Sequence, residues 1–510
     1  MKIERTKNAG RNIFFGIILK VYQIIVPFVM RTAMIYLMGV QYLGLNSLFT
    51  SVLQVLNLAE LGVGSAMVYS MYKPIATDDK KSICALMRLY RTYYRVIGLA
   101  IAIIGTCLLP LIPKLIKSDV PADVNIYILY LLNLSVTVLS YWLFAYKNCL
   151  LDAHQRTDVT SKVTIITNTV QYVLQIAVLI LFKNYYWYVV VALATQAMTN
   201  IVTAVVVTKM FPDYKPIGKL DKKEVQNIND RIKDLFTAKF GTVVVSSADT
   251  IVISAFLGLS TLAIYQNYYY LLNAVYGVVG IILTSVTAGI GNSLITEKLD
   301  KNYNDFKKLT FIICWIICIC CSCFAGLYQP FMKIWVKKSE LMLQDNYVFL
   351  FCLYYFLLEI NMVWATVKDA AGLWHSDRFR PLIGAVCNLV LNVILVQFIG
   401  LHGILLSTIL SYVFISMPWL IHNLFKLLYK RSVASYIISV LQYFLASCLS
   451  VFVTWNICKI INIGTIADLI VKLVIAIVIP NIIQLVVFCR KTEFTEAVIL
   501  VKKMLPIHKE

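Results

Sequence analysis

Charged residues are scarce in this chain, and their scarcity decides its class. Only 14% of its 510 residues are charged, whereas 60% are hydrophobic. An ordinary soluble domain carries about 25% charged residues. A soluble fold of this size could not cover so many apolar side chains with polar surface. The composition therefore excludes an ordinary soluble protein and indicates a chain that lies in a lipid bilayer.

Signatures of catalysis are also missing. The sequence has no Gly-rich phosphate loop, no nucleophile motif and no His-based metal spacing. Its 13 cysteines show neither disulfide nor metal spacing, and the five clustered in one span are better explained as small apolar helix residues: Cys314, Cys318, Cys320, Cys321 and Cys323. The predicted outer loops are short, which disfavours a membrane glycosyltransferase or polymerase. We therefore predict a protein that is not an enzyme and needs no metal or cofactor.

Long uncharged runs are abundant instead. A spanning helix needs about 20 mostly apolar residues, and Thr32–Ala59, Leu309–Met332 and Ser432–Cys458 contain no Asp, Glu, Lys or Arg. Inside lipid, a segment must satisfy its own backbone hydrogen bonds, so these runs are predicted to be helices. The fold class predicted is an all-α integral membrane protein with about 14 transmembrane helices. The spans are predicted at about residues 13–38, 47–70, 90–112, 124–146, 163–182, 186–208, 236–257, 263–293, 309–329, 346–367, 381–399, 403–425, 436–458 and 466–489.

Basic residues concentrate in alternate loops. The chain carries a net charge of +20, and most of its Lys and Arg fall in the two tails and in every second predicted loop. The longest of these loops lies near residues 209–239. This distribution follows the positive-inside rule and places both termini in the cytoplasm. It also argues against nucleic acid as the partner of the positive charge.

An internal repeat relates the two halves of the chain. Shifted by 219 residues, Gly39–Leu43 lies over Gly258–Leu262, and Lys20 lies over Lys239. We predict two six-helix lobes in a parallel pseudo-two-fold repeat, followed by two C-terminal helices. The corresponding domains are residues 1–225, 226–435 and 436–510.

Three segments carry a resemblance to a known family. Tyr42–Thr77, Ser247–Ser260 and Gly372–Gly403 resemble bacterial polysaccharide (Wzx-type) repeat-unit flippases. These belong to the superfamily of multidrug (MATE), oligosaccharidyl-lipid and polysaccharide transporters. The resemblance implies a central cavity, alternating access, and a bacterial plasma-membrane location. It also implies a cargo: undecaprenyl-pyrophosphate-linked oligosaccharide, turned from the inner to the outer leaflet for polysaccharide export.

Partners also follow from this resemblance. They are the lipid-linked oligosaccharide, membrane lipids and polysaccharide assembly enzymes, with no nucleic acid. In the lipid II flippases the last two helices form a groove for the lipid tail. By analogy, predicted helices 13 and 14 of this chain are expected to do so.

Basic residues within spans are the first site candidates, because a charge at the bilayer centre costs roughly 3 kcal/mol or more. Lys20 and Arg31 lie three turns apart on the first helix, so they point the same way. Lys239 begins the seventh at the depth of Lys20. We predict that these three form a cationic path for the pyrophosphate. The alternative for both lysines is that they snorkel to the inner interface. Asp249 is predicted to pair with Arg31, either as an outer gate or as a static ion pair.

Acidic residues within spans are the second set of candidates. Glu60 and Glu359 lie in the inner halves of the second and tenth predicted helices. A carboxylate there suits H⁺ or Na⁺ coupling, or it compensates the charge of Lys20 or another cavity lysine. The alternative function is a multidrug or metabolite cation antiporter of the same superfamily. That alternative requires an acidic cavity, whereas the charges of the first helix are basic.

Overall fold

All regular structure described in this computed structural model is helical. The structure describes residues 5–60, 62–117, 120–461, 463 and 466–504, and describes only the backbone at 5–10, 59, 234, 237–239, 242, 245–246, 288 and 501–504. By Cα packing the chain divides into two compact units, Met1–Ala263 and Ile264–Glu510. The three-domain division of residues 1–225, 226–435 and 436–510 stays a prediction.

The first unit contains the helices of the N-terminal half. They are, in chain order, α1 (Arg5–Leu37), α2 (Val40–Leu56), α3 (Val63–Ala76), α4 (Lys80–Cys107), α5 (Ile126–Trp142), α6 (Asn148–Ala153), α7 (Thr157–Leu181), α8 (Tyr185–Met210), α9 (Lys222–Leu257) and the start of α10 (Leu259–Thr296). Helix α1 packs on α7, α7 on α8, α4 on α5, and α2 on α9. Side chains of Asp79, Asn125 and Asn184 cap the N-termini of α4, α5 and α8, which satisfies backbone donors that a helix leaves unpaired.

The second unit is built around one long helix. Its helices are the rest of α10, then α11 (Leu299–Val336), α12 (Asp345–Ala370), α13 (Trp374–Asp377), α14 (Arg380–Ile399), α15 (Leu401–Ser411), α16 (Met417–Asn423), α17 (Ala434–Ile460), α18 (Ile466–Phe488) and α19 (Thr492–Met504). Helix α11 packs against α12, α17, α18 and α19. It therefore supplies the core of this unit, and the clustered cysteines lie on it.

Every predicted span has a helix at its position, but the predicted count of fourteen is not confirmed. Among the described residues, ten helices are long and apolar enough to cross a membrane, or twelve if each of two bent pairs is one span. The second predicted span falls short because it is interrupted. A 3₁₀ turn, Asn57–Glu60, separates α2 from α3, and Gly62 before α3 adopts a left-handed conformation with φ +93°.

The 219-residue repeat is visible in the backbone. Gly39, before α2, has φ +114° and ψ 166°, and Gly258, before α10, has φ +89° and ψ 170°. Only glycine adopts this region readily, so the same chain break recurs in both halves. The buried Asp158 binds Arg156 at 2.8 Å. The buried Asp377, 219 positions later, binds Arg380 at 2.6 Å.

His154 lies in the connection between α6 and α7, inside a small aromatic stack. Its ring centroid is 4.4 Å from that of Phe211 and 5.8 Å from that of Tyr214. Nδ1 donates to the Leu150 carbonyl at 2.8 Å, while Nε2 has no partner among the described residues. Burial penalises the charged imidazolium and lowers the pKa of His154 below its ordinary 6.5, despite the Leu150 hydrogen bond.

This burial predicts an acid-sensitive contribution to stability. Because the folded pKa is the lower one, the unfolded chain takes up a proton first as pH falls below about 6.5. We expect the melting temperature of detergent-purified protein to fall between pH 7.5 and 5.5, and to fall less in His154→Phe. His375→Phe, at an exposed histidine, is the matched control and should keep the wild-type pH dependence. Equal pH dependence in His154→Phe and wild type would refute the prediction.

Candidate functional site

Arg31 lies on α1 and is half-buried. Its guanidinium is close enough to the phenol of Tyr188, on α8, for the two to interact electrostatically. Helix α8 therefore contributes to the surroundings of this charge. Asp249 lies on α9 in the same unit and is also half-buried. The Arg31–Asp249 gate pair stays a prediction.

Of the two lysines in the predicted pyrophosphate path, the structure describes the side chain of only one. Lys20 lies on α1 with an exposed side chain. Lys239 lies within α9, but its side chain is outside the described residues. A common path formed by Arg31, Lys20 and Lys239 therefore stays a prediction.

Glu60 lies at the interruption between α2 and α3, and two phenols hold its carboxylate. Oε1 accepts from the Tyr94 hydroxyl at 2.5 Å, and Oε2 accepts from the Tyr141 hydroxyl at 2.7 Å. Tyr90 donates in turn to the Tyr94 oxygen at 2.5 Å. The Tyr141 hydroxyl also lies 3.2 Å from Asn57 Oδ1. These phenols fasten the interrupted second span to α4 and α5.

Sequence reasoning did not find the partners of Glu60. Lys20 or another cavity lysine was predicted to balance the negative charge of Glu60. Among the described residues, however, Glu60 forms no ion pair, and its carboxylate contacts phenols instead. One signal was available: Tyr90 and Tyr94 are four residues apart and so lie on one helix face. Tyr141 lies on a separate helix, so its contact with Glu60 depends on how the helices pack.

Glu359 is the opposite case. It lies on α12, fully buried, and neither carboxylate oxygen has a hydrogen-bond partner among the described residues. Tyr355 is one turn earlier, and its buried hydroxyl lies close enough to interact with Glu359 and Cys320, although it reaches hydrogen-bond geometry with neither. Tyr276 of α10 and Cys320 of α11 lie close enough to interact with Glu359 electrostatically. A buried carboxylate that accepts no hydrogen bond is costly, so this residue needs a reason beyond packing.

An apolar cavity of about 400 Å³ lies on the side of α17 that faces α11 and α12. Its walls are Cys321 of α11, Phe349, Cys352, Leu353 and Phe356 of α12, and Phe444, Ser447, Cys448, Val451 and Phe452 of α17. No lining residue comes from α18. The groove between helices 13 and 14 stays a prediction, and of these two helices only helix 13 lines this cavity.

The sequence of residues 9–288 matches the family described as "Polysaccharide biosynthesis protein". This match covers more than half of the chain. The chain belongs to that family. No curated protein matches the sequence. Membership agrees with the resemblance predicted from Tyr42–Thr77 and Ser247–Ser260, which both lie within the matched part.

Solved structures similar to this family member show its fold. The lipid II flippase MurJ in an inward closed conformation aligns with a TM-score of 0.70 at 16% identity, covering 96% of this chain and 100% of that one. An inward-facing multidrug resistance MATE transporter of the MOP superfamily aligns with a TM-score of 0.59 at 13% identity, covering 80% of this chain and 97% of that one. A MOP superfamily transporter from Pyrococcus furiosus aligns with a TM-score of 0.53 at 13% identity, covering 83% of this chain and 96% of that one.

These likenesses confirm the predicted fold class, an all-helical fold shared with known membrane proteins. The solved proteins that share this fold are a lipid II flippase and transporters of the MOP superfamily. The roles of Arg31, Lys20, Lys239, Asp249, Glu60 and Glu359 remain predictions.

Proposed function

We propose that this protein is a flippase for undecaprenyl-pyrophosphate-linked oligosaccharide repeat units. It moves them from the inner to the outer leaflet of a bacterial plasma membrane by alternating access, for polysaccharide export. Both termini are cytoplasmic, in keeping with the distribution of basic residues. The cargo reaches the protein from the enzymes that assemble it on the lipid.

Arg31 is the observation that carries this proposal. It is a half-buried guanidinium in an apolar span of a polysaccharide-biosynthesis family member. A permanent positive charge in a span is costly, and such residues commonly mark a substrate pathway. Guanidinium groups bind phosphate oxygens through paired hydrogen bonds. A pyrophosphate crossing the bilayer would need such a group to offset its lost hydration.

The apolar cavity beside α17 supports a lipid-linked cargo. Apart from the Ser447 hydroxyl, its described walls are hydrocarbon, aromatic rings and thiols, which offer an isoprenoid tail no competing polar contacts. A tail held there would stay in an apolar environment while its headgroup crosses.

Glu359 supports coupling to an ion. A buried carboxylate without a hydrogen-bond partner binds H⁺ or Na⁺ to relieve its own desolvation. The same residue favours the second candidate function, a cation antiporter of the multidrug type, because such a transporter also requires a buried acid. The basic character of α1 favours the flippase.

The decisive experiment is a deletion strain of the natural host, examined for its lipid-linked oligosaccharide pool and its surface glycan. We expect the precursor to accumulate on the cytoplasmic side and the surface polymer to disappear. Wild type should restore export, and Arg31→Ala should restore less than a tenth of it at equal protein level. Arg378→Ala, at an exposed arginine, is the control and should restore export fully.

Two results would overturn the proposal. One is an unchanged lipid pool and surface glycan in the deletion strain. If sensitivity to cationic drugs rises at the same time, the antiporter replaces the flippase. The other is full rescue by Arg31→Ala, which would remove Arg31 from the pathway.

A further inference from the structure

A second cavity, of about 660 Å³, opens in the first unit at the ends of α3, α4 and α9. These ends belong to the loops richest in basic residues, so we infer that the cavity faces the cytoplasm. Tyr69 and Tyr72, one turn apart on α3, present their rings to it. Their side chains are 60% and 46% exposed. Large exposed rings at the mouth of a cavity are available to a ligand.

Tyr69 is positioned by an arginine from another helix. The Arg231 guanidinium, on α9, lies 4.5 Å from the centroid of the Tyr69 ring. Arg231 also reaches Ser70 Oγ, at 3.5 Å. The Tyr72 ring stands at 71° to that of Tyr69, with centroids 6.2 Å apart. The two rings therefore form two walls of a corner, one of them held by a cation.

The rest of the lining is partly apolar, with Pro74, Leu86, Leu220 and Ile228, and its charged residues are balanced. It combines Lys73 and Arg231 with Asp79 and Glu224, together with the amide of Asn227. The Asp79 carboxylate is already used as the N-cap of α4, where Ser82 donates to it. A lining with two cations and two carboxylates offers no net attraction to a bare anion. It offers many donors and acceptors to a ligand covered with hydroxyl groups.

We propose that this cavity, the Tyr69–Arg231 cavity, binds the sugar units of the oligosaccharide before they enter the transport pathway. The proposal rests on the function proposed above. It adds a site for the sugar units, whereas Arg31 is proposed to bind the pyrophosphate. The apolar C–H faces of sugar rings pack on Tyr69 and Tyr72, and the hydroxyls meet Asn227, Glu224 and Arg231. The volume lies within the range of about 300–1,000 Å³ for small-molecule sites.

Saturation-transfer NMR on the full-length protein in nanodiscs tests this directly. The probe is a mixture of oligosaccharides made by partial hydrolysis of the host's own surface glycan. Irradiating the aromatic protons should transfer signal to the C–H protons of the bound sugar. We expect Tyr69→Ala and Tyr72→Ala to lower the transfer at least fivefold, while Tyr69→Phe, which keeps the ring, retains most of it. Glu224→Gln should weaken binding without removing it.

Lys223→Ala is the matched control. Lys223 is an exposed basic residue on α9 next to Glu224 but outside the cavity lining, so its removal should leave the transfer unchanged. A belt of interfacial tyrosines in contact with lipid would instead give no sugar-dependent signal, or a signal that Tyr69→Ala and Tyr72→Ala leave intact. Either result would overturn the proposal.

The outcome is separable from that of the proposed function. If the deletion strain accumulates precursor, yet the purified protein gives no sugar signal, the flippase stands and the sugar site fails. If the deletion strain has a normal lipid pool and surface glycan, the proposed function fails, whatever the cavity binds.

Discussion

Gly44→Val should lower the melting temperature by about 3 °C or more and reduce export to less than a tenth of wild type. Gly44 lies on α2, where the helix meets the first residue of α10. A Cβ built on Gly44 would lie 2.2 Å from the Leu259 carbonyl oxygen, 2.9 Å from its carbon and 3.1 Å from its Cα. All three atoms are backbone, so no side chain can turn aside.

Relief of this clash requires α2 and the α9–α10 junction to separate by about 1 Å. Overpacking of this kind costs about 1–3 kcal/mol. Gly44→Ala would recover about 1 kcal/mol through better helix propensity, so it should be milder than Gly44→Val. Thermal melting in detergent and complementation of the deletion strain measure the two effects.

Gly384 provides the matched control. It lies inside α14, and a Cβ built there meets nothing within 4 Å. Gly384→Val carries the same change in helix propensity without the clash, and should melt and export close to wild type. If Gly44→Val and Gly384→Val behave alike, close approach of α2 to Leu259 has no importance for either stability or transport.

The helices and the repeat were accessible from the sequence because their causes are local. Uncharged runs such as Leu309–Met332 have only one way to satisfy their backbone in lipid. The Gly39 and Gly258 breaks were visible as matched glycines, since glycine is the residue that tolerates their positive φ. The number of spans was less certain from sequence. The run Thr32–Ala59 contains no charged residue, so its composition does not predict the 3₁₀ turn at Asn57–Glu60.

The contacts of the charged residues could not be predicted from the sequence, because their partners lie on distant segments of the chain. Tyr141 reaches Glu60 from 81 residues away, and Arg231 reaches Tyr69 from another helix. A single sequence carries no signal for such pairs. The Tyr69–Arg231 cavity shows the same limit, since its walls come from α3, α4 and α9.

Glu359 and Glu60 should respond in opposite ways to loss of charge. Removing the Glu359 carboxylate, which accepts no hydrogen bond from the described residues, removes its desolvation cost, about 1–3 kcal/mol for a polar group left unsatisfied. Glu359→Met, similar in volume, should therefore raise the melting temperature. Glu60→Met instead removes the acceptor of the Tyr94 hydroxyl and leaves the Tyr141 hydroxyl only the 3.2 Å contact with Asn57 Oδ1, so it should lower the melting temperature.

Substitution of Glu359 should change transport and stability in opposite directions. If its carboxylate binds the coupling ion, Glu359→Met and Glu359→Gln both reduce export at least tenfold, although Glu359→Met makes the protein more stable. A more stable protein that does not transport would show that the buried carboxylate is retained for function at a cost in stability. Melting in detergent and surface-glycan complementation at equal protein level measure both. Normal export by Glu359→Met would exclude ion coupling through this residue, and a lower melting temperature would mean that the carboxylate has a stabilising partner.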